Sequence, residues 1–142
     1  MVEVKVRNLL TAAGAYYLSW WIEPFFAFGW GKLTNRIHYL GDFEGAVVMP
    51  LVTHFPEAVF AAGVGAAVVW LVESNAPIRW ALIPAALYAF FDYRGYHWAI
   101  TPTLADRTSQ VVGALFLFLA CLIGATVMFG HRAAWLRRDG TR

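Results

Sequence analysis

An imidazole and a carboxylic acid lie three residues apart in the stretch VTHFPEAVF, residues 52–60, which is otherwise apolar. If this stretch is helical, His54 and Glu57 share one face of the helix. Two more carboxylic acids, Glu23 and Asp92, also lie in apolar segments. An ionisable side chain inside a membrane costs at least about 2.5–3.5 kcal/mol on insertion scales, so it is expected to face the protein interior and to have a function. We therefore predict that these four side chains form a catalytic site.

The chemistry expected of such a site is proton transfer. A medium of low dielectric constant favours the neutral carboxyl group, and neighbouring carboxylates add to this effect, so one of Glu23, Glu57 and Asp92 is expected to hold a proton near neutral pH. We assign Glu57 as the proton donor or acceptor, with His54 as its partner. The other two carboxylates, Glu23 and Asp92, are expected to set the charge of Glu57 or to stabilise a cationic intermediate.

The expected substrate is an apolar lipid of the sterol, carotenoid or other isoprenoid type. Protonating an alkene forms a carbocation, which aromatic faces stabilise by about 2 kcal/mol or more per desolvated contact. Double-bond isomerisation or cyclisation needs this combination of an acid and aromatic walls. The aromatic residues that we predict to contact the substrate are Tyr17, Trp20, Trp21, Phe55, Tyr88 and Phe91.

The composition indicates an integral membrane protein. Of 142 residues, 60% are apolar and 14% charged, and the mean hydropathy is +0.55, which is unlike an ordinary soluble domain. The net charge of +2 comes without a long basic run, so nucleic-acid binding is not expected. A single cysteine, Cys121, cannot form an internal disulfide, and the sequence leads us to assign no cofactor.

Four segments are apolar over the roughly 20 residues that a membrane-spanning helix needs. They lie near residues 9–30, 46–72, 78–100 and 109–130. The second and third are joined by a short link around residues 73–77, so they are expected to be antiparallel. The prediction is an all-α protein, a single membrane domain over residues 1–142 that forms a bundle of four transmembrane helices.

Lysine and arginine predict the orientation of these spans. Seven lie at the end that holds both termini, and four lie at the opposite end, so the positive-inside rule places both termini in the cytoplasm. At about 1.5 Å rise per residue, the four candidate catalytic residues then all fall between the bilayer centre and its outer side. Pro56 is expected to bend the second span beside them. Other polar residues predicted on this outer side, at loops or span ends, are His38, Asp42, Glu44, Arg94 and His97.

The order of these features resembles the EXPERA family of four-span membrane proteins, which includes the emopamil-binding sterol isomerases and the sigma-2-type receptors. The similar parts, within residues 10–130, are Glu23 late in span one, RIHYLGD at residues 36–42, a glutamate in span two and PIRWALI at residues 77–83. Ser19 stands where the isomerases have a histidine, and span four lacks their polar and tryptophan residues. The resemblance implies the fold and a ligand pocket with acidic residues.

Other functions use the same residues. One imidazole and three carboxylates are compatible with iron or manganese, although the order His-x-x-Glu reverses that of di-iron bundles, and we assign no metal. The carboxylates could instead carry protons in a transporter or channel subunit, which would require a homo-oligomer. Two further alternatives remain. The protein could be an accessory subunit of a larger membrane complex, or His54 and Glu57 could be a hydrogen-bonded pair that only holds helices together.

Overall fold

The chain folds into α-helices, and the described part of it contains no strand. The computed structural model describes residues 2–34, 42–95 and 104–139, with side chains for 3–25, 45–93 and 104–137. The helices are α1 (Val2–Thr34), α2 (Asp42–Thr53), α3 (Phe55–Leu71), α4 (Ile78–Gly95) and α5 (Leu104–Asp139). The prediction of an all-α fold is confirmed over these residues.

The segment predicted as one second span is two helices. α2 and α3 meet at an angle of 57°, and His54 is the single residue between them. Proline lacks the amide hydrogen of a helix interior but fits the first turn, and Pro56 lies in the first turn of α3. The bend expected at Pro56 therefore appears two residues earlier. α2 also begins at Asp42, which had been expected in a loop.

Only part of the predicted membrane arrangement is evident from helix length and hydropathy. In the described chain, α5 over Leu104–Arg137 is long and apolar enough to cross a membrane, and α2 with α3 qualifies if the bent pair is one span. α1 and α4 do not meet the same criteria. In α4, Arg79, Asp92 and Arg94 fall within 18 residues. The helices thus include one membrane-span candidate, or two with the bent pair.

α3 and α4 lie at the centre of the bundle. Both pack against α1 on one side and α5 on the other, and α2 also packs on α5. Among the described residues, α1 and α5 do not touch each other. The largest fully buried side chains are on α3, α4, α5 and the residue after α3: Val68, Val69, Val72, Pro84 and Cys121. The core therefore lies mainly between α3, α4 and α5, and α1 covers one side of it.

Glycines allow α3 and α5 to touch through their backbones. A Cβ added to Gly65 would overlap the carbonyl oxygen of Cys121, and one added to Gly124 would overlap that of Ala62. The small residues of the second and fourth predicted spans were expected to serve close packing. That expectation is confirmed at these two glycines.

Polar contacts join three helix termini at one end of the bundle. Arg132 of α5 donates hydrogen bonds to the carbonyl oxygens of Val69 (2.7 Å) and Val72 (3.0 Å), where α3 ends. Asn8 of α1 donates to the carbonyl oxygen of Glu73 (3.1 Å), and Arg7 forms an ion pair with the Glu73 side chain. The start of α1, the end of α3 and the last part of α5 therefore lie together.

Replacing Arg132 with Met is expected to destabilise the protein, because it leaves carbonyl groups at the end of α3 without their donor. A hydrogen bond from a charged group is worth about 1.5–3 kcal/mol, so the free energy of unfolding should fall by about that amount. The matched control is Arg137→Met, since Arg137 is exposed and bonds Ala133 of its own helix. Thermal unfolding in detergent micelles, followed by circular dichroism, compares the two variants. Equal stability of both would contradict the prediction.

Candidate functional site

The bend between α2 and α3 places an imidazole inside the bundle. His54 is 8% exposed. Its amide donates to the carbonyl oxygen of Pro50 (2.9 Å) and its own carbonyl accepts from the amide of Ala58 (2.8 Å). The backbone thus keeps its hydrogen bonds through the break, and the break can be buried without an unpaired amide at His54.

Two carboxyl groups flank this imidazole. Nδ1 of His54 pairs with Oε2 of Glu57, one turn further along. On the other ring nitrogen, Nε2 lies 3.6 Å from Oδ1 of Asp92, which comes from α4. One donor atom from each of the three residues lies within 4.8 Å of the others. The imidazole therefore sits between two acids that come from different helices.

A third carboxyl group comes from α1. The side chain of Glu23 lies within hydrogen-bonding reach of that of Glu57. Two carboxyl groups so close together are more stable when one of them is protonated than when both are ionised. We call Glu23, His54, Glu57 and Asp92 the carboxyl–imidazole cluster. The structure brings together all four residues that the sequence nominated for catalysis.

The fifth helix closes the cluster with its backbone at Gly113. A Cβ on this residue would lie 2.9 Å from Oδ2 of Asp92 and 3.2 Å from Nε2 of His54, tighter than ordinary carbon contacts. Gly113 is a site residue that sequence reasoning missed. Nothing in the sequence separates it from the other glycines of the apolar segments.

A second polar contact lies between α1 and α4. The hydroxyl of Ser19 donates to the carbonyl oxygen of Tyr16 (2.7 Å), so in its 2.5 Å contact with Tyr88 it is the tyrosine hydroxyl that donates. The rings of Tyr16 and Tyr88 meet edge to face at 4.9 Å. Ser19 thus anchors a buried tyrosine.

The aromatic residues predicted to contact substrate separate into two groups. Tyr88 is buried at 5% exposure. The other five are about half exposed on the outside of the bundle: Tyr17, Trp20, Trp21, Phe55 and Phe91. Trp20 and Phe91 stack at 6.2 Å and so join α1 to α4. The side chains of the outer polar residues His38, Asp42, Glu44, Arg94 and His97 lie outside the described residues.

An apolar groove of about 640 Å³ runs between α1 and α3. We call it the α1–α3 groove. Along α1 it extends from Leu10 to Ile22, roughly 18 Å at about 1.5 Å per residue. The residues that line it are Leu10, Thr11, Gly14, Ala15, Leu18, Ser19, Ile22, Val59, Phe60, Gly63, Val64, Ala67 and Leu71.

One end of the α1–α3 groove lies beside the carboxyl–imidazole cluster. Ser19 of the groove is four residues before Glu23 on α1, and Phe60 of the groove is three residues after Glu57 on α3, so each pair shares a helix face. None of the six aromatic residues predicted to contact substrate lines this groove. The structure thus offers a long apolar surface with acidic groups next to one end of it.

Comparisons with known proteins give no assignment. No protein-family model matches the chain, and no curated protein or solved structure matches it. The resemblance to the EXPERA family therefore stays a prediction from the sequence.

Proposed function

We propose that this protein is a small membrane-embedded acid–base protein that binds a long apolar lipid of the isoprenoid class and shifts its double bond. The observation that carries the proposal is the meeting of the Glu23 and Glu57 carboxyl groups beside His54, at the end of the α1–α3 groove. One proton held by such a pair would give the site both an acid and a base.

The proposal includes a membrane arrangement of four spans, formed by α1, by α2 with α3, by α4 and by α5, with both termini in the cytoplasm. On α5, large apolar side chains are exposed at every fourth position: Leu115, Leu119, Ile123 and Val127. A continuous exposed apolar stripe suits a lipid environment better than water. The arrangement is EXPERA-like in the order of its spans.

The reaction requires no oxidant, reductant or water. Glu57 donates its proton to one alkene carbon, and the π electron pair forms the new carbon–hydrogen bond. The neighbouring carbon becomes a carbocation, held by the negative charge of Glu23. A carboxylate then removes a proton from the next carbon, whose bonding pair forms the shifted double bond. His54 holds the carboxyl group of Glu57 in position throughout.

The α1–α3 groove favours an elongated ligand over a compact one. Its length of roughly 18 Å along α1 and its almost wholly apolar walls fit an extended hydrocarbon chain lying parallel to the helices. Glycine at positions 14 and 63 leaves open space in the floor, since a Cβ at either position would meet nothing within 4 Å. An extended hydrocarbon chain can enter this groove laterally from the bilayer.

Filling the groove tests the proposal. Gly63→Leu places a side chain in the α1–α3 groove, whereas Gly130→Leu places the same side chain on α5, where the Cβ also meets nothing within 4 Å. Mass spectrometry of lipid that copurifies with the protein should show a specific lipid with the wild type and with Gly130→Leu. We expect Gly63→Leu to retain roughly a tenth or less, which corresponds to about 1.4 kcal/mol of binding. Equal retention by all three proteins would exclude the groove as the binding site.

A further inference from the structure

Asp92 has a buried oxygen atom that has no hydrogen-bond partner among the described residues. Its side chain is only 9% exposed, and Oδ2 is fully buried with no hydrogen bond. Its other oxygen, Oδ1, is 3.6 Å from Nε2 of His54, which is too long for a hydrogen bond. A buried carboxylate normally has hydrogen bonds, a paired charge or a metal ion.

Apart from His54, no basic side chain in the described part of the chain pairs with the acids of the cluster. No lysine or arginine there forms an ion pair with Glu23, Glu57 or Asp92, and His54 can neutralise at most one of these three acids. A bound cation would add the positive charge that these described residues do not supply, next to the unpartnered oxygen of Asp92.

From these observations we propose that the carboxyl–imidazole cluster binds one divalent transition-metal ion, with Nε2 of His54 and the carboxylate of Asp92 as its first two ligands. Donor atoms that share an ion at about 2.1 Å each lie up to about 4.2 Å apart, and these two are 3.6 Å apart. Glu57 bonds Nδ1 of the same imidazole, and such a carboxylate partner directs the opposite nitrogen to a metal.

The donor set selects the class of metal. One imidazole with several carboxylates suits manganese or iron, whereas magnesium and calcium prefer oxygen ligands alone. One donor atom from each of Glu57, His54 and Asp92 lies within 4.8 Å of the others, and Glu57 contributes through its bond to Nδ1 of His54 rather than as a ligand. The sequence alone led us to assign no metal, and the unpartnered Asp92 oxygen is what changes that expectation. The metal site does not depend on the α1–α3 groove having a ligand.

Manganese is the probe for this site. The purified full-length protein is stripped with a chelator in detergent micelles and titrated with Mn²⁺, and electron paramagnetic resonance measures the free ion. We expect one Mn²⁺ per chain, not displaced by Mg²⁺ at equal concentration. Asp92→Asn and His54→Gln should weaken binding by about 10–100-fold or more. Glu73→Gln, at an exposed acid near the other end of α3, should leave binding unchanged.

Two further measurements test the metal site without replacing any of its proposed metal ligands. Gly113→Ala retains every donor but presses a methyl group against Oδ2 of Asp92, so it should also lose Mn²⁺. In the wild type, electron spin-echo modulation should detect one coordinated nitrogen, from His54. Absence of Mn²⁺ binding, binding that is unchanged in Asp92→Asn, or a bound ion without a nitrogen ligand would each overturn the metal site. Lipid retention by the wild type in the same experiment would leave the proposed function standing.

Discussion

Glu57→Gln is expected to abolish proton exchange between solvent and bound lipid. When the wild-type protein is incubated with its lipid in D₂O, each cycle of protonation and deprotonation places deuterium on carbon, and mass spectrometry detects the heavier lipid. General acid–base groups contribute roughly 10²–10⁴-fold to rate, so the variant should lose about that much of the initial rate. Glutamine keeps the size of the side chain and a hydrogen-bond acceptor, but it cannot give up a proton at neutral pH.

The matched control is Glu73→Gln, which makes the same chemical change at an exposed residue far from the cluster. It should exchange deuterium at the wild-type rate. Glu23→Gln should lose deuterium exchange as Glu57→Gln does, because the two side chains meet in the cluster. If the wild type retains lipid but incorporates no deuterium, the protein is a binding protein and not an isomerase. If Glu57→Gln exchanges at the wild-type rate, Glu57 is not the proton donor.

Gly124→Leu is expected to have the largest effect on folding. A Cβ at this position would already overlap the backbone carbonyl of Ala62, and a backbone atom cannot move aside as a side chain can. Overpacking costs typically about 1–3 kcal/mol where side chains can adjust, so we expect a loss of at least about 3 kcal/mol here. α3 and α5 would have to separate along their contact.

Gly130→Leu is the control for this effect, since it makes the same change on the same helix where the Cβ meets nothing within 4 Å. Its stability should stay within about 0.5 kcal/mol of the wild type, as for most surface substitutions. Thermal unfolding in micelles and the yield of monodisperse protein measure both variants. Wild-type stability of Gly124→Leu would show that α3 and α5 do not touch at this point.

The rarity of ionisable groups in the apolar segments made the cluster predictable. Because each such group is costly in lipid, the few that occur have a reason to meet inside the protein. Their depth could be estimated from helical rise alone, and this estimate placed Glu23, His54, Glu57 and Asp92 at one level. The structure brings these four side chains together. The short link after α3 was also predictable, because residues 73–77 combine polar residues with a proline.

The details that shape the site depend on tertiary packing and were not predictable. The bend lies at His54, where the backbone keeps its hydrogen bonds on both sides, and the apolar periodicity of the sequence does not show this position. Gly113 matters only because α5 passes directly over Asp92. The α1–α3 groove is lined mostly by small and aliphatic residues, with Phe60 as its aromatic member, whereas the aromatic residues chosen from the sequence mostly face outward. Composition gives the number of aromatic residues but not the direction in which each side chain points.

The central contacts of α5 have a consequence for biogenesis. α2, α3 and α4 all pack on this helix, yet the ribosome makes it after them. Until it emerges, Asp92 and His54 lack the helix that closes over them, and the glycine face of α3 does not yet have α5 as its partner. We therefore expect the earlier helices to stay incompletely packed during synthesis until α5 is made. The hydrogen bonds of Arg132 to the end of α3 can form only after that step.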